Sequence, residues 1–434
     1  MADSDATKGV GSVFVSNYPP YSAWGGGQVE DAFAALDGPG ESNVPLGLYL
    51  HIPFCRKRCK FCYFKVYTEK DSRQVRRYLS GLATEVELLA QRQVVQGRKP
   101  EFIYFGGGTP SFISARHLEE LALRVTAAMP WDGAREIAFE CEPGTLSAPK
   151  LKVIRDIGVT RLSLGVEHFN DAILEENGRA HLSAEIYRCL PWIEAQGFDQ
   201  VNIDLIAGMV GETWESWKDA VRRTVEIGPD AVTIYQMELP FNTVYSRRVL
   251  EDGAPIPVAD WETRRAWQEY GFQELEGAGY SISSAYTMVR DKASSFVYRD
   301  ALWRGADLLG TGVASFSHVG GVHFQNVSGW DPYLENLDAG RLPVERAYAL
   351  TPAQRLTREM ILQLKLGLLD PAYFFNKFGT DIIKEWSAAW DDLQGRGLAE
   401  VTPQGVTLTR EGLLQVDHLL PAFYAPEFRN IRYT

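Results

Sequence analysis

Residues 49–64 read YLHIPFCRKRCKFCYF. The first four close an apolar, strand-like run that begins at Leu46. The next stretch holds Cys55, Cys59 and Cys62, three of the chain's five cysteines; Cys141 and Cys189 stand alone. An odd cysteine count with one tight cluster does not make a disulfide framework. The C-x3-C-x2-C spacing also lacks the second pair that completes a zinc site. Three soft thiolates suit a [4Fe–4S] cluster with one iron left open to a small chelating ligand. Lys57, Arg58 and Lys60, set among the thiols, offset the negative charge of that region.

From Leu46 to Gln236 the pattern alternates. Strand-like runs stand at LGLYLHI, EFIYF, EIAFEC, TRLSLGV, QVNIDLIAG and AVTIYQ. Between them lie segments with apolar residues three and four apart, such as SRQVRRYLSGLATEVELLAQ and TWESWKDAVRRTVEIG. Six strands joined by helical crossovers predict an α/β fold with parallel strands, an open sheet or barrel, whose ligands gather at the carboxyl ends of the strands. A helix is expected near DWETRRAWQEYGFQELEGAG and a strand near YSISSAY. After about Leu350, helices lead to GLAEVTPQGVTLTREGLLQVDHLL, a hairpin followed by a helix, as in a small winged-helix-like module. The expected divisions are an N-terminal extension (1–45), a barrel (46–240), an extension of it (241–345) and a C-terminal module (346–434). Residues 1–45 are rich in Gly and Pro, but Phe14, Tyr18, Tyr21 and Trp24 are many aromatics for a free tail. We read this leader as packing on the body or lidding a cavity.

The chain carries 44 basic and 56 acidic residues, a net charge of −12. Such a surface argues against nucleic-acid and membrane partners. No run approaches the length of a membrane span and the N-terminus has no signal-peptide core, so a cytoplasmic location is expected, where thiols stay reduced.

The run YFGGGTP (104–110) follows a strand, and its glycines let backbone amides approach a ligand closely. With the three-cysteine loop it suits the amino and carboxyl groups of an amino-acid-like cofactor. At this point the chain resembles the radical S-adenosylmethionine (SAM) superfamily. More narrowly it is similar to the HemN-like group around oxygen-independent coproporphyrinogen III oxidase. YLHIPFC, YFGGGTPSF, FECEPGTL, RLSLGVEHF, NGRAH, NIDLIAGM and DLLGTGV carry the likeness, over roughly residues 46–320.

The resemblance implies a partial (β/α)6 barrel in which Cys55, Cys59 and Cys62 hold the cluster. A SAM on the open iron would meet Tyr49, Gly107, Glu140 and Phe316. A second SAM would meet Phe61, Gly108, Thr109, Glu167, Arg179, Asp204 and Met237. Asp204 sits in an apolar strand, where an unpaired carboxylate is costly, so a ligand partner or Arg179 is expected to answer it. His51, His168 and Glu167 are candidates for moving protons or holding substrate, and Glu142, Glu238 and Tyr235 lie at other strand ends. An electron donor such as flavodoxin or ferredoxin and a small-molecule substrate are the implied partners.

Two departures bear on the reaction. Phe64 stands where the porphyrinogen oxidases of this group carry a fourth cysteine, and VSNYPPYSAW lacks their arginine. Position 167 is Glu where they have Gln. Residues 294–299, SSFVYR, offer none of the histidine expected of the heme-chaperone branch. These features place the class C methyltransferase and cyclopropanase branch first: transfer of a SAM-derived methyl or methylene to an sp² carbon. Anaerobic coproporphyrinogen decarboxylation stands second and heme delivery third.

Overall fold

The computed structural model describes residues 9–429 and residue 431. Six strands follow one another as expected: β1 (Leu46–Ile52), β2 (Phe102–Gly107), β3 (Glu136–Cys141), β4 (Arg161–Glu167), β5 (Gln200–Ala207) and β6 (Ala231–Gln236). Each pairs in parallel with the next. Strands packed on both faces must be apolar throughout, which is why β1 reads LGLYLHI with six of its seven residues buried. The crossover helices are defined by local chemistry. Ser72–Ala90 starts at a capping box between Asp71 and Gln74. Trp214–Ile227 runs from the Thr213 cap to Gly228, whose φ of 64° ends it in the left-handed conformation. This is the α/β fold with a partial (β/α)6 barrel expected from the sequence.

Later strands extend the sheet. They are β7 (Ser281–Ile282), β8 (Thr287–Val289), β9 (Asp307–Thr311), β10 (Phe316–Val319), β11 (Val322–Asn326) and β12 (Val344–Ala349). The order is β12-β11-β10-β9-β1-β2-β3-β4-β5-β6-β8-β7. β9 lies parallel to β1, placing the ADLLGTG run beside the cluster strand. The strand expected across YSISSAY is only partly formed: the chain turns at residues 283–286, and pairing with β6 falls to Thr287–Val289.

The helix Trp261–Gly277 forms as read. Beyond Leu350, the helix Pro352–Leu364 leads to a three-stranded antiparallel sheet of Leu368–Leu369, Ala399–Thr402 and Gly405–Leu408, followed by a short helix at Arg410–Leu414. Its apolar residues form a cluster of their own that takes in Val15 and Tyr18 of the leader. No helix among the described residues is long and apolar enough to cross a membrane.

Candidate functional site

The cysteine loop leaves the carboxyl end of β1 and lies across the ends of β3 to β6. Backbone hydrogen bonds tie it down: Cys55 donates to the Tyr67 carbonyl (3.1 Å), Lys60 to Asn177 (3.0 Å) and Cys62 to Cys59 (3.1 Å). The glycines of β2 let the neighbouring strand end press against it. A Cβ at Gly108 would lie 3.0 Å from Cys55 Sγ and 2.9 Å from the Pro53 carbonyl carbon. Gly107, at φ 118°, faces the His51 ring so closely that a Cβ would come within 2.5 Å of it. Thr109 Oγ1 donates to Cys55 Sγ (3.4 Å) and Arg179 donates to Cys59 Sγ (3.3 Å). Burial pushes the Cys55 thiol up to about 11 and the Cys62 thiol to about 12.

Beneath the loop opens a cavity of about 470 Å³. Its polar floor comes from the ends of β3, β4 and β5. Glu140 accepts from the Tyr104 hydroxyl (2.7 Å) and the Gly107 amide (3.2 Å). Asp204 accepts from Ser163 (2.8 Å) and Asn202 (2.8 Å). Glu167 stands at a register shift between β4 and β5 with φ 64°, an uncommon conformation for a side-chain-bearing residue, and its carboxylate lies 3.5 Å from Arg179. Burial raises all three acids, and their mutual repulsion adds to the rise of Glu140 and Glu167, which stand at about 7. Arg179 also donates to the Gly165 carbonyl (2.8 Å). The direct partners of Asp204 are therefore Ser163 and Asn202, not Arg179.

Phe61, Gly107, Gly108, Thr109, Glu140, Glu167, Arg179, Asp204 and Met237 all reach the cavity wall. Four sequence candidates lie elsewhere. Tyr49 and His51 sit behind the wall, with Tyr49 Oη 3.2 Å from His51 Nδ1, and burial lowers His51 to about 4, so it is neutral. His168 turns inward: the Asn170 amide donates to its Nδ1 (2.9 Å) and its Nε2 lies 3.1 Å from buried Glu212. The bulge that lifts Glu167 toward the cavity sends the next side chain the other way. Phe316 stands beside Tyr21 and Trp24 of the leader, with ring centroids 5.9 and 5.5 Å away, and stays exposed. The other strand-end residues, Glu142, Tyr235 and Glu238, all line the cavity. Burial raises Glu142, but His181 and Arg56 outweigh it and hold that carboxyl at about 2.

The leader was read from the sequence as packing on the body or lidding a cavity, but the side chains that anchor it were not. Val13 and Phe14 of the leader line the cavity, and Glu238 accepts from Ser12 Oγ (2.5 Å) and the Val13 and Phe14 amides (3.1 Å each). Buried Lys365 pairs with Asp417 (2.7 Å) and donates to the Val15 carbonyl (2.5 Å), while Asp417 accepts from the Val15 amide (2.9 Å) and the Tyr286 hydroxyl. A lone lysine within the apolar run ILQLKLGLL was the available signal.

Comparison with known proteins matches residues 49–224 to the radical SAM superfamily. The heme chaperone HemW of Haemophilus influenzae is 31% identical over 62% of this chain and 69% of its own length. The oxygen-independent coproporphyrinogen III oxidase of Pseudomonas aeruginosa is 27% identical over 93% of this chain and 91% of its own. The chain belongs to the radical SAM superfamily, in its HemN-like family. The solved structure of coproporphyrinogen III oxidase (HemN) from Escherichia coli shares the fold, with a TM-score of 0.81 at 24% identity over 94% of this chain and 96% of that one.

Radical SAM proteins bind a [4Fe–4S] cluster and SAM, and the residues here fit both. The half-buried thiols of Cys55 and Cys62 disfavour the thiolate form unless a cationic centre lies among them. Among the described residues, no three His, Cys, Asp or Glu side chains converge on a single-ion position. A cube spreads its irons and takes each thiolate on a different one, so this donor set suits a cluster better than zinc. The acidic floor is a lining compatible with the ammonium and sulfonium charges of SAM.

Proposed function

We propose that this protein is a radical SAM enzyme with two SAM sites that oxidatively decarboxylates propionate groups of a porphyrinogen-type substrate. Cys55, Cys59 and Cys62 hold the cluster in this reading. Gly107 and Glu140 face the first SAM, while Phe61, Gly108, Thr109, Glu167, Arg179, Asp204 and Met237 serve the second. Tyr49 backs the first site through its stacking on Tyr104 at 5.9 Å. Bound there, the cluster and SAM would supply hydrogen-atom abstraction by a 5′-deoxyadenosyl radical, and the substrate would then give up carbon dioxide, and one electron to a one-electron acceptor, to leave the vinyl group.

The observation that carries this reading is the extent of the likeness. The Pseudomonas aeruginosa oxidase aligns with 93% of this chain, the heme chaperone HemW of Bacillus subtilis with 86% and that of Haemophilus influenzae with 62%. The leader contributes Val13 and Phe14 to the cavity wall. The named relatives are oxidases and heme chaperones, and they do not support the methyl or methylene transfer that the sequence put first.

Reconstituted, reduced protein incubated anaerobically with coproporphyrinogen III and SAM bearing a CD₃ group tests the proposal. Conversion of a propionate to a vinyl group with release of carbon dioxide, alongside unlabelled 5′-deoxyadenosine, is the expected result. Deuterium in 5′-deoxyadenosine together with S-adenosylhomocysteine would overturn it in favour of one-carbon transfer.

A further inference from the structure

The cavity is walled unevenly. Its floor carries the carboxylates of Glu140, Glu167 and Asp204, while the cysteine loop brings Arg56, Lys57 and Arg58 to its border. Arg56 is engaged by Glu142 at 3.0 Å, and Arg58 donates to the carbonyls of Cys62 and Asn242. Lys57 is exposed and makes neither a hydrogen bond nor an ion pair among the described residues. Directly after Cys62 the same loop contributes two large aromatic side chains, Tyr63 and Phe64, to the cavity wall. Their rings stack, with centroids 4.5 Å apart and planes 28° from parallel. Yet Tyr63 stays 41% exposed and Phe64 48%, and Tyr235 at the end of β6 is a third exposed aromatic on this cavity. Stacked rings left open on a cavity wall are apolar surface that a bound molecule can cover.

We propose that the Tyr63–Phe64 pair is the platform for a ring of the substrate and that Lys57 holds a carboxylate of the same molecule. These three residues thereby select a ring compound that carries acid groups. The proposal rests on the porphyrinogen reading above, and assigns to these residues a pyrrole ring and one propionate. Charge divides the cavity between its ligands. The acidic floor repels a propionate and suits the cations of SAM, whereas Lys57 offers a cation that no carboxylate of the protein neutralises. Aromatic faces hold a flat ring whatever its charge, so the platform supplies affinity and Lys57 supplies orientation. Because Tyr63 is the residue after Cys62, a ring seated there is held at the cluster loop, where the radical chemistry begins.

The test is binding of coproporphyrin III, the stable fluorescent oxidised form of the porphyrinogen, to the full-length, cluster-loaded protein with SAM present. The double substitution Tyr63→Ala and Phe64→Ala is expected to weaken binding at least about tenfold. Tyr63→Phe with Phe64→Tyr keeps both rings and should bind as the unmodified protein does. Lys57→Gln is expected to weaken binding about fivefold, a difference that shrinks as ionic strength rises from about 0.05 to about 0.5 M. SAM affinity, read by calorimetry, should be unchanged in every variant. Porphyrin affinity indifferent to the loss of both rings overturns the platform, as does absence of binding by the unmodified protein. A fall in SAM affinity of the same size also overturns it and assigns the rings to adenine. An unchanged affinity in Lys57→Gln overturns the carboxylate contact, and this variant decides where the alanine pair fails to fold. The reaction is judged separately. Unmodified protein that binds coproporphyrin III through these residues, yet makes no vinyl product from the porphyrinogen, loses the decarboxylase reading and keeps the ring site.

Discussion

Glu167 and Glu238 are both half-buried carboxyls on one cavity, and both are pushed up to about 7, first of all by desolvation. Their surroundings differ. Glu238 has its oxygens taken by the Ser12 hydroxyl and two leader amides, so it buckles the N-terminal segment to the end of β6. Glu167 meets a single guanidinium at 3.5 Å and otherwise adds to the negative field of Glu140 and Asp204. A raised pKa records desolvation in both cases. The count of satisfied acceptors separates a fastening from a surface still offered to a ligand.

The floor and the buckle can be broken separately. Cys59→Ala has the largest expected effect: loss of iron–sulfur absorption and of 5′-deoxyadenosine formation, read by anaerobic spectra and product analysis, with melting temperature little changed. On the ceiling, Lys365→Met leaves Asp417 buried without its cation and is expected to cost about 3–5 kcal/mol. That loss would be read by denaturant unfolding and by faster proteolysis near residues 11–18, and adding Asp417→Asn should restore part of it. An unchanged proteolysis pattern would mean that the leader is held by its aromatics alone.

Asp204→Asn should weaken SAM binding about tenfold, or about 1.4 kcal/mol, without releasing the leader. Calorimetric titration separates this from a folding defect.

The smallest effect is that of pH. Glu140 and Glu167 titrate near 7 when folded, above the ordinary carboxyl value of 4.5, so the folded protein binds more protons than the unfolded chain between those values. These two groups should therefore make the ligand-free protein lose stability as pH rises from about 4.5 to 7, with no further loss above. SAM, whose cations prefer the ionised floor, should bind a few-fold more tightly at pH 8 than at pH 6. The thermal shift produced by SAM reads both, and a shift that shrinks as pH rises would remove the floor from cation recognition.

Residues close together in the chain made the barrel and the cluster loop legible. Periodicity marked all six parallel strands because their two-sided burial demands continuous apolar runs, and the loop's three thiols fall within a single turn-rich stretch. His168 could not be placed that way. Its direction depends on a β4–β5 bulge and on Glu212, which arrives from beyond the next strand. Phe316 likewise could not be placed: it stays exposed outside the cavity wall, with Tyr21 and Trp24 of the leader as its ring neighbours.

By itself the sequence determined the parallel α/β core, the cysteine spacing and the acids at the strand ends, all of which follow from local pattern and elementary ligand chemistry. Only the tertiary structure decided which acids face the cavity, that Lys365, Asp417 and Glu238 clasp residues 12–15 across its ceiling, and that Arg56, Lys57 and Arg58 of the cysteine loop border the same cavity. Those outcomes bring together groups as much as 402 residues apart, as in the Val15–Asp417 hydrogen bond, and no local periodicity encodes such a pairing.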